Sequence, residues 1–559
     1  MIGPVSYVVT LQHLRVGQFA HLLRDRLFRA FGCRPRPSAA ELKAPATEPL
    51  RARLDLPPQT RLSRDGSVSI DLFGADFTWR EGGDWYSDTS DGLRAETLYY
   101  LEFLQRFAPE ESGLAGRVAL DFLRWAPPKT PQYAAYTASR RLITLTHVAA
   151  RLPRTSEVRR RLLAAAAAHA RLVFRHTEHH LSANHLFKCA KGLLWAGLFL
   201  RHAESARWLH KGAAILARQL RRQFLPSGCH YERCPGYHCA VLEDLLDTTA
   251  ALRTTRRLPR LRRRVESVTQ RALAFLAAIL HPDGSLPLFG DTAAGPSPRP
   301  ADLFAAAKAA GFRVPSPQEG AFAFPDAGFY GCRLRDDFLI VTAGRTGAPD
   351  QPGHAHCDFG SFELSWGGGR VVTDTGTHDY AADARRDLVR STAAHNVAQP
   401  NGLEQARFWA AHRFATLVHP RVVRRDYDER KQELKLTLVS SAYRARGLLW
   451  RRRLLFRPGA LRIDDSVSGA RIVSRLHFHP ALRLESTAPS TASLVGGTCR
   501  LTVLSDGRLS AGLSPYWPRF YAATPERISL AAEAAGSVRL ELRRGDARDG
   551  ASSGKSPAR

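Results

Sequence analysis

The order of apolar and polar positions splits the chain into a helical half and a strand half. From about residue 93 to about residue 311, apolar residues recur at intervals of three and four, the period of helices with one buried face. The clearest stretches are Leu93–Phe107, Ala134–Leu152, Ser156–Phe174, His185–Arg201, Ala203–Phe224, Cys239–Arg253 and Leu258–Leu280. Breakers fall between them at Pro153, Pro226-Ser-Gly228, Pro235-Gly236 and Pro282-Asp-Gly284, residues that end helices or form turns. Successive antiparallel helix pairs of this number can close into a ring around a central groove. There is no fixed repeat of the kind that builds a regular solenoid.

After Pro315 the pattern changes to strands. Gly328–Leu334, Asp337–Thr342, Leu434–Ser440, Leu448–Phe456, Leu461–Ile463, Ile472–Phe478, Cys499–Leu504 and Val538–Leu542 alternate or run apolar at strand length. Turn residues separate them, so an antiparallel sheet domain is expected, read as a sandwich. An earlier stretch, Val68–Trp79, is also strand-like. Residues 5–32 set Arg15, Arg24, Arg26 and Arg29 among apolar positions and read as a basic amphipathic helix. Docking on the protein's own body is favoured for it over peripheral membrane contact. A Pro-rich linker is expected over roughly 35–60. The expected organisation is multi-domain α+β: a basic helix and linker over 1–64, a helical domain over 65–315, a sheet domain over 316–545 and a loose tail over 546–559.

Composition sharpens this picture. A chain of 559 residues, 44% of them hydrophobic, can bury large cores and is not disordered throughout. The formal charge of +29 favours a polyanionic partner: an acidic polysaccharide, nucleic acid or an anionic membrane surface. No zinc finger or other recognition module accompanies the charge, which argues against nucleic acid. Eight cysteines are too few for a disulfide framework in a chain this long. The spacing of Cys229, Cys234 and Cys239 fits no common zinc pattern. The first residues show no secretory signal, and no apolar run is long enough to span a membrane.

Candidate chemistry gathers in both halves. In the second, Gly353-His-Ala-His356 precedes a strand-like run, and Asp374 and His395 follow His356 at intervals of 18 and 21. A hairpin and its neighbour can bring these three to one sheet face, because side chains alternate along strands. Two imidazoles and a carboxylate suit Zn²⁺ or a similar divalent ion. The plain alternative is loop histidines and a turn acid. In the first half, Asn184 and His185 open a helix, where Asn184 is either an N-cap or part of an anion-holding terminus. Tyr237 and His238 sit at a loop-to-helix junction, alternatively as packed turn residues. His281-Pro-Asp-Gly284 and Phe289-Gly-Asp291 read as a structural loop along the groove.

Taken in order, these segments resemble the heparinase II/III family of polysaccharide lyases, relatives of some alginate lyases. The matching motifs are Asn184-His185-Leu186, His230-Tyr-Glu-Arg233 with Tyr237-His238, His281-Pro-Asp-Gly284, Gly353-His-Ala-His356, Ser361-Phe-Glu-Leu364, Thr373-Asp-Thr-Gly376 and Arg390-Ser-Thr-Ala-Ala-His-Asn396. The resemblance implies an (α/α) toroid followed by an antiparallel β-sandwich, and β-elimination at a uronic acid of an acidic polysaccharide. It assigns Asn184 and His185 to the substrate carboxylate, and Tyr237 as base, acid or both. His354 is then a catalytic histidine, Tyr380 a second tyrosine, and Arg233 and His238 substrate contacts. It makes His356, Asp374 and His395 ligands of a structural divalent ion, zinc by preference. The active site is expected between the two halves. The resemblance points to the periplasm or cell envelope, while the absence of a visible signal leaves the cytoplasm open. The alternative function is a catalytically inactive binding or assembly protein of an exopolysaccharide pathway.

Overall fold

A computed structural model of the chain describes residues 16–546, apart from 32–35, 44–46, 55–58, 64, 86–91, 126–133, 497–498 and 524. The start of the expected 5–32 helix and nearly all of the expected tail lie outside the described residues. The helical periods fold as Ala135–Ala150, Glu157–His176, Ala183–Phe199, Ser205–Arg222, Pro235–Thr255 and Pro259–Ile279. Ser156 caps one of them by accepting the Arg159 amide at 3.3 Å. Pro235, Pro259 and Pro300 each open a helix, where a missing N–H costs nothing. Pro235-Gly236 is therefore the start of a helix, ahead of the Cys239 start expected, and Tyr237 lies in its first turn.

Two glycines let Ala183–Phe199 lie tightly on Ser205–Arg222. A Cβ on Gly197 would stand 2.5 Å from the Leu209 amide nitrogen, and one on Gly212 2.6 Å from that of Leu194. A close-packed interior has no room for either. The period over Leu93–Phe107 breaks at Leu101, whose φ is +55°. Gly92–Tyr99 is helix and Glu102–Arg106 a tighter turn. The Pro-rich stretch expected as a linker is instead packed in part. Glu41–Leu42 pairs with Leu200–Arg201, and the Leu50 amide donates to Asp247 at 2.8 Å.

Beyond Pro315 two antiparallel sheets share one apolar core. The first has the order Gly369–Val372, Phe362–Trp366, Asp337–Thr342, Phe329–Leu334, Gly320–Phe324. The second has ten strands and is built on the pairing of Ala460–His477 with Glu526–Asp546. The segments read separately as Leu461–Ile463 and Ile472–Phe478 are one strand whose register shifts between Ser466 and Arg471.

Period-two alternation explains why the first sheet is apolar on both faces. Leu339, Val341, Leu364 and Trp366 join the core shared with Leu436, Leu454 and Ile463 of the second sheet. Phe329, Phe338 and Ile340 turn the other way and pack against Phe275, Ile279 and Phe289 of the helical half. The two halves thus meet along an apolar seam. A polar clamp crosses it: the His281 ring bonds Ser365 and Glu363, each at 2.8 Å. Glu363 also accepts the Leu288 and Asp374 amides at 3.0 and 2.8 Å. Burial alone would raise the Glu363 carboxyl, but Arg370 and His281 outweigh it and hold it at about 2. Among the described residues no helix is long and apolar enough to cross a membrane.

Candidate active site

A cleft of about 860 Å³ lies where the halves meet. Asn184, His185, Lys188 and Tyr237 line it from the helical half, and His354, Tyr380 and His412 from the other.

The helical wall is shaped by a sharp turn. Ser182 and Ala183 both have positive φ, +55° and +45°, a region that residues with a Cβ avoid unless the surroundings hold them there. The Tyr231 hydroxyl accepts the Ala183 amide at 3.0 Å, and Gln223 donates to the Ala183 carbonyl at 2.9 Å. Ser182 is the N-cap residue, so the N-cap reading of Asn184 does not hold. The Asn184 side-chain amide instead donates to Glu232 at 3.2 Å. His185 bonds Glu178 through Nδ1 at 2.8 Å and packs on the Tyr136 ring, centroids 4.5 Å apart. Burial pulls the His185 pKa down, but the Glu178 hydrogen bond and charge outweigh it and leave it above the usual value.

Beneath this wall lies a network of buried ion pairs. Lys188 and Lys191 reach Asp244 at 2.5 and 2.8 Å, and Lys191 also pairs with Asp247. Arg51 holds Glu243 at 2.8 Å, and Arg140 pairs with Glu102. The cations that line the cleft at Arg51, Arg140 and Lys188 are therefore already paired with carboxylates.

At the opposite wall the hub is Asp291, a residue the helical half contributes. It accepts His354 Nδ1 and His356 Nε2, each at 2.9 Å, and both its oxygens are gripped by Arg386. Burial would raise the Asp291 carboxyl, but Arg386 and the histidine hydrogen bonds hold it well below the usual range. The carboxylate therefore fixes the proton of His354 on Nδ1 and leaves Nε2 as an acceptor. The Tyr237 ring stacks on His354 with centroids 3.6 Å apart, and the Tyr237 and Tyr380 hydroxyls lie 3.1 Å apart. Burial first, then the neighbouring hydroxyl and Asp291, push the Tyr237 phenol well above its usual value. Burial and Asp291 do the same to Tyr380. Burial, helped by His354 and Arg386, lowers His412 to about 3.

Asp291, His354 and His412 bring ligand atoms within 4.8 Å of one another, a possible ion-holding group. Arg386 on the same carboxylate works against a cation there. His356, Asp374 and His395 lie together in the interior, and their side chains do not line the cleft. His395 Nδ1 bonds Asp374 at 2.9 Å, and the two imidazole rings are 5.4 Å apart. Among the described residues, His356 Nδ1 and His395 Nε2 are buried with no hydrogen-bond partner. Each ring has its other nitrogen held by a carboxylate, the arrangement that orients imidazole toward a metal. Asp374, expected as a third ligand, instead has both oxygens 2.9 Å from His395 Nδ1. The three therefore do not form a ligand group of their own, and what is left for an ion is the two imidazole nitrogens.

Two expected substrate contacts lie elsewhere. His238 is buried beside the seam, taking the His230 amide at 3.2 Å and bonding the Ala272 carbonyl at 3.1 Å. Arg233 donates to the carbonyls of Tyr231, Gly347 and Asp326 and so ties the halves together. Neither lines the cleft. Asp291, expected as part of a structural loop, proves central. Arg386, His412 and Glu232 were not singled out, although Glu232 sits inside the His230–Arg233 motif.

The family model described as Heparinase II/III N-terminus matches residues 152–301, and the one described as Heparinase II/III-like, C-terminal matches residues 316–543. Together they span more than half the chain. A heparin-sulfate lyase of Pedobacter heparinus is 24% identical over 232 residues, 38% of this chain and 35% of that protein. That match therefore spans about a third of the relative's length. A heparinase III structure superposes with a TM-score of 0.69 at 15% identity, covering 84% of this chain and 80% of that one. The heparan sulfate lyase HepC of Pedobacter heparinus gives 0.58 at 17% identity, covering 86% and 81%. At such identities the structural likeness speaks for the fold, and the matched models for descent: the chain belongs to the heparinase II/III family of polysaccharide lyases.

Proposed function

We propose that the chain cleaves an acidic, uronate-containing polysaccharide by β-elimination. The observation that carries this reading is the stacked Tyr237–His354 pair, 3.6 Å between centroids, contributed by opposite halves at the cleft. In this reading Asn184 and His185 hold the uronate carboxylate. Hydrogen-bond donors placed where negative charge develops are the largest expected term in such a reaction. His354 takes the C5 proton through Nε2. The electron pair left at C5 forms the double bond to C4, the C4–O bond breaks, and the departing oxygen takes a proton from Tyr237. Burial keeps the Tyr237 phenol protonated at working pH, so Tyr237 is assigned as the donor rather than as a tyrosinate base, and His354 as the base. Tyr380, hydrogen-bonded to Tyr237, positions that hydroxyl.

The helical half is read as an (α/α) toroid and the sheet half as a β-sandwich, the architecture expected from the sequence. A zinc ion, held by His356 and His395 with Asp374 orienting His395, would supply a structural cross-link between loops of the sheet half. A polymer substrate favours the periplasm or cell envelope as the compartment. The exopolysaccharide-binding alternative is not favoured, because a binder has no need of a paired acid and base.

The test is incubation with a panel of uronic-acid polymers, followed by ultraviolet absorbance of the unsaturated product. Folded, ion-loaded protein that produces no absorbance on any of them would overturn the reading.

A further inference from the structure

The helix Val16–Phe31 is seated the wrong way round for a helix that belongs only to the protein's own core. Val16, Phe19, Leu23 and Leu27 recur at three and four, so they form one stripe. That stripe faces solvent: the four are 90, 53, 57 and 52% exposed. The face that docks is polar. Gln18, 5% exposed, donates to the carbonyls of His180 and Asp350 at 3.1 and 3.3 Å. His21 stacks on His179 at 4.5 Å, and Arg24 donates to the Arg175 carbonyl at 2.7 Å. A stripe of large apolar side chains turned outward by its own polar contacts is a surface prepared for a partner.

Charge says what kind of partner. At about 100° per residue, Arg24 and Arg26 fall on the two borders of the stripe. Arg175 and Lys211 stand beside Arg24 around a small hollow next to the helix. A second copy of this chain, docked through the same stripe by two-fold symmetry, would set arginines against arginines. An anionic lipid surface instead meets the apolar stripe with acyl chains and the arginines with phosphates. We propose that Val16–Phe31 is a surface anchor lying in the interface of an anionic bilayer. The peptide carbonyls it grips, at His180 and Asp350, neighbour Leu181 and Gln351 of the cleft lining. An anchored molecule would therefore hold its cleft close to the bilayer. The proposal stands on the helix alone and does not depend on the chemistry of the cleft.

The test is co-sedimentation of the full chain with phosphatidylcholine vesicles, with and without phosphatidylglycerol. The expected result is association with the anionic vesicles only, weakening as salt is raised. Phe19→Ser with Leu23→Ser should lower the partition about a hundredfold, since each removes a side chain from the acyl region. Arg26→Gln should lower it about fivefold, on anionic vesicles only. These side chains are exposed, so an unchanged melting temperature verifies that the variants fold. Sedimentation with neither vesicle, equal binding to both, or a concentration-dependent dimer abolished by Leu23→Ser would each overturn the proposal.

Discussion

Under the helical wall of the cleft Arg51, Arg140, Lys188 and Lys191 each have a carboxylate within bonding reach. Behind the opposite wall the buried His356 Nδ1 and His395 Nε2 have none. Buried polar atoms are nearly always satisfied, so the contrast is informative. The cations of the helical wall are paired before any ligand arrives. The sheet wall is held on its cleft side by Asp291, a carboxylate that the helical half contributes, and behind it two imidazole nitrogens have no hydrogen-bond partner among the described residues. In the proposed reading one wall holds the substrate, and the other has a reactive front with the proposed ion site behind it.

The largest effect should come from removing the group that joins the walls. Tyr237→Phe keeps the ring that stacks on His354 and deletes the hydroxyl. Turnover should fall about 10⁴-fold, with melting temperature and ion content unchanged. Retained activity would break the comparison at its centre, because the reactive front would then lie elsewhere.

Next in size is a test of completeness. Lys191→Met removes the cation that Asp244 and Asp247 share. Breaking one partner of a buried ion pair costs about 3–5 kcal/mol. The denaturant midpoint should fall accordingly, with metal content intact. A variant as stable as the parent would mean that this network is not what holds the helical wall.

Smaller still is the effect of loosening the back of the sheet wall. Asp374→Asn weakens the grip on His395 Nδ1, an orienting contact whose loss typically costs 10–100-fold in metal affinity. Chelator competition reads this directly, and activity should follow ion content. His356→Ala should lose the ion altogether and lower the melting temperature. Full ion content in His356→Ala would move the site to the front, to Asp291, His354 and His412.

What could be read from the sequence follows how local each interaction is. The helix periods and strand alternation were plain because i, i+3 and i, i+2 neighbours carry them. Tyr237, His354 and Asn184 stood in motifs, and the structure brings all three to one cleft. Asp291 did not stand out, because its partners come from 63 to 95 positions away and nothing in Phe289-Gly-Asp291 announces them. His238 and Arg233 misled for the opposite reason. They neighbour Tyr237 in sequence, but Arg233 lies in the turn before the helix, at φ +56°, and His238 follows Tyr237 in the first helical turn, where adjacent residues point in different directions. His238 therefore enters the core while Tyr237 enters the cleft. The continuous strand Ala460–His477 was hidden by its register shift, which interrupts the alternation that would have joined its two parts.

The smallest expected effect concerns pH and the holder wall. His185 faces the cleft with Glu178 behind it at 2.8 Å, and its folded pKa lies above the usual imidazole value. The sign follows from that direction. The charged pair contributes stability in full below about 6.5, and the contribution is lost as pH rises through the raised value. The same holds for the grip on a substrate carboxylate, which a charge-assisted hydrogen bond strengthens and a neutral ring does not. KM should therefore rise by about tenfold as pH climbs through the His185 value, while the proton transfers at Tyr237 and His354 set kcat separately. Glu178→Gln removes the partner that raises His185, so the rise in KM should move to lower pH. His185→Gln should flatten it. A KM profile that is unchanged in Glu178→Gln would show that the helical wall holds its ligand without charge at His185, leaving Asn184 as the holder.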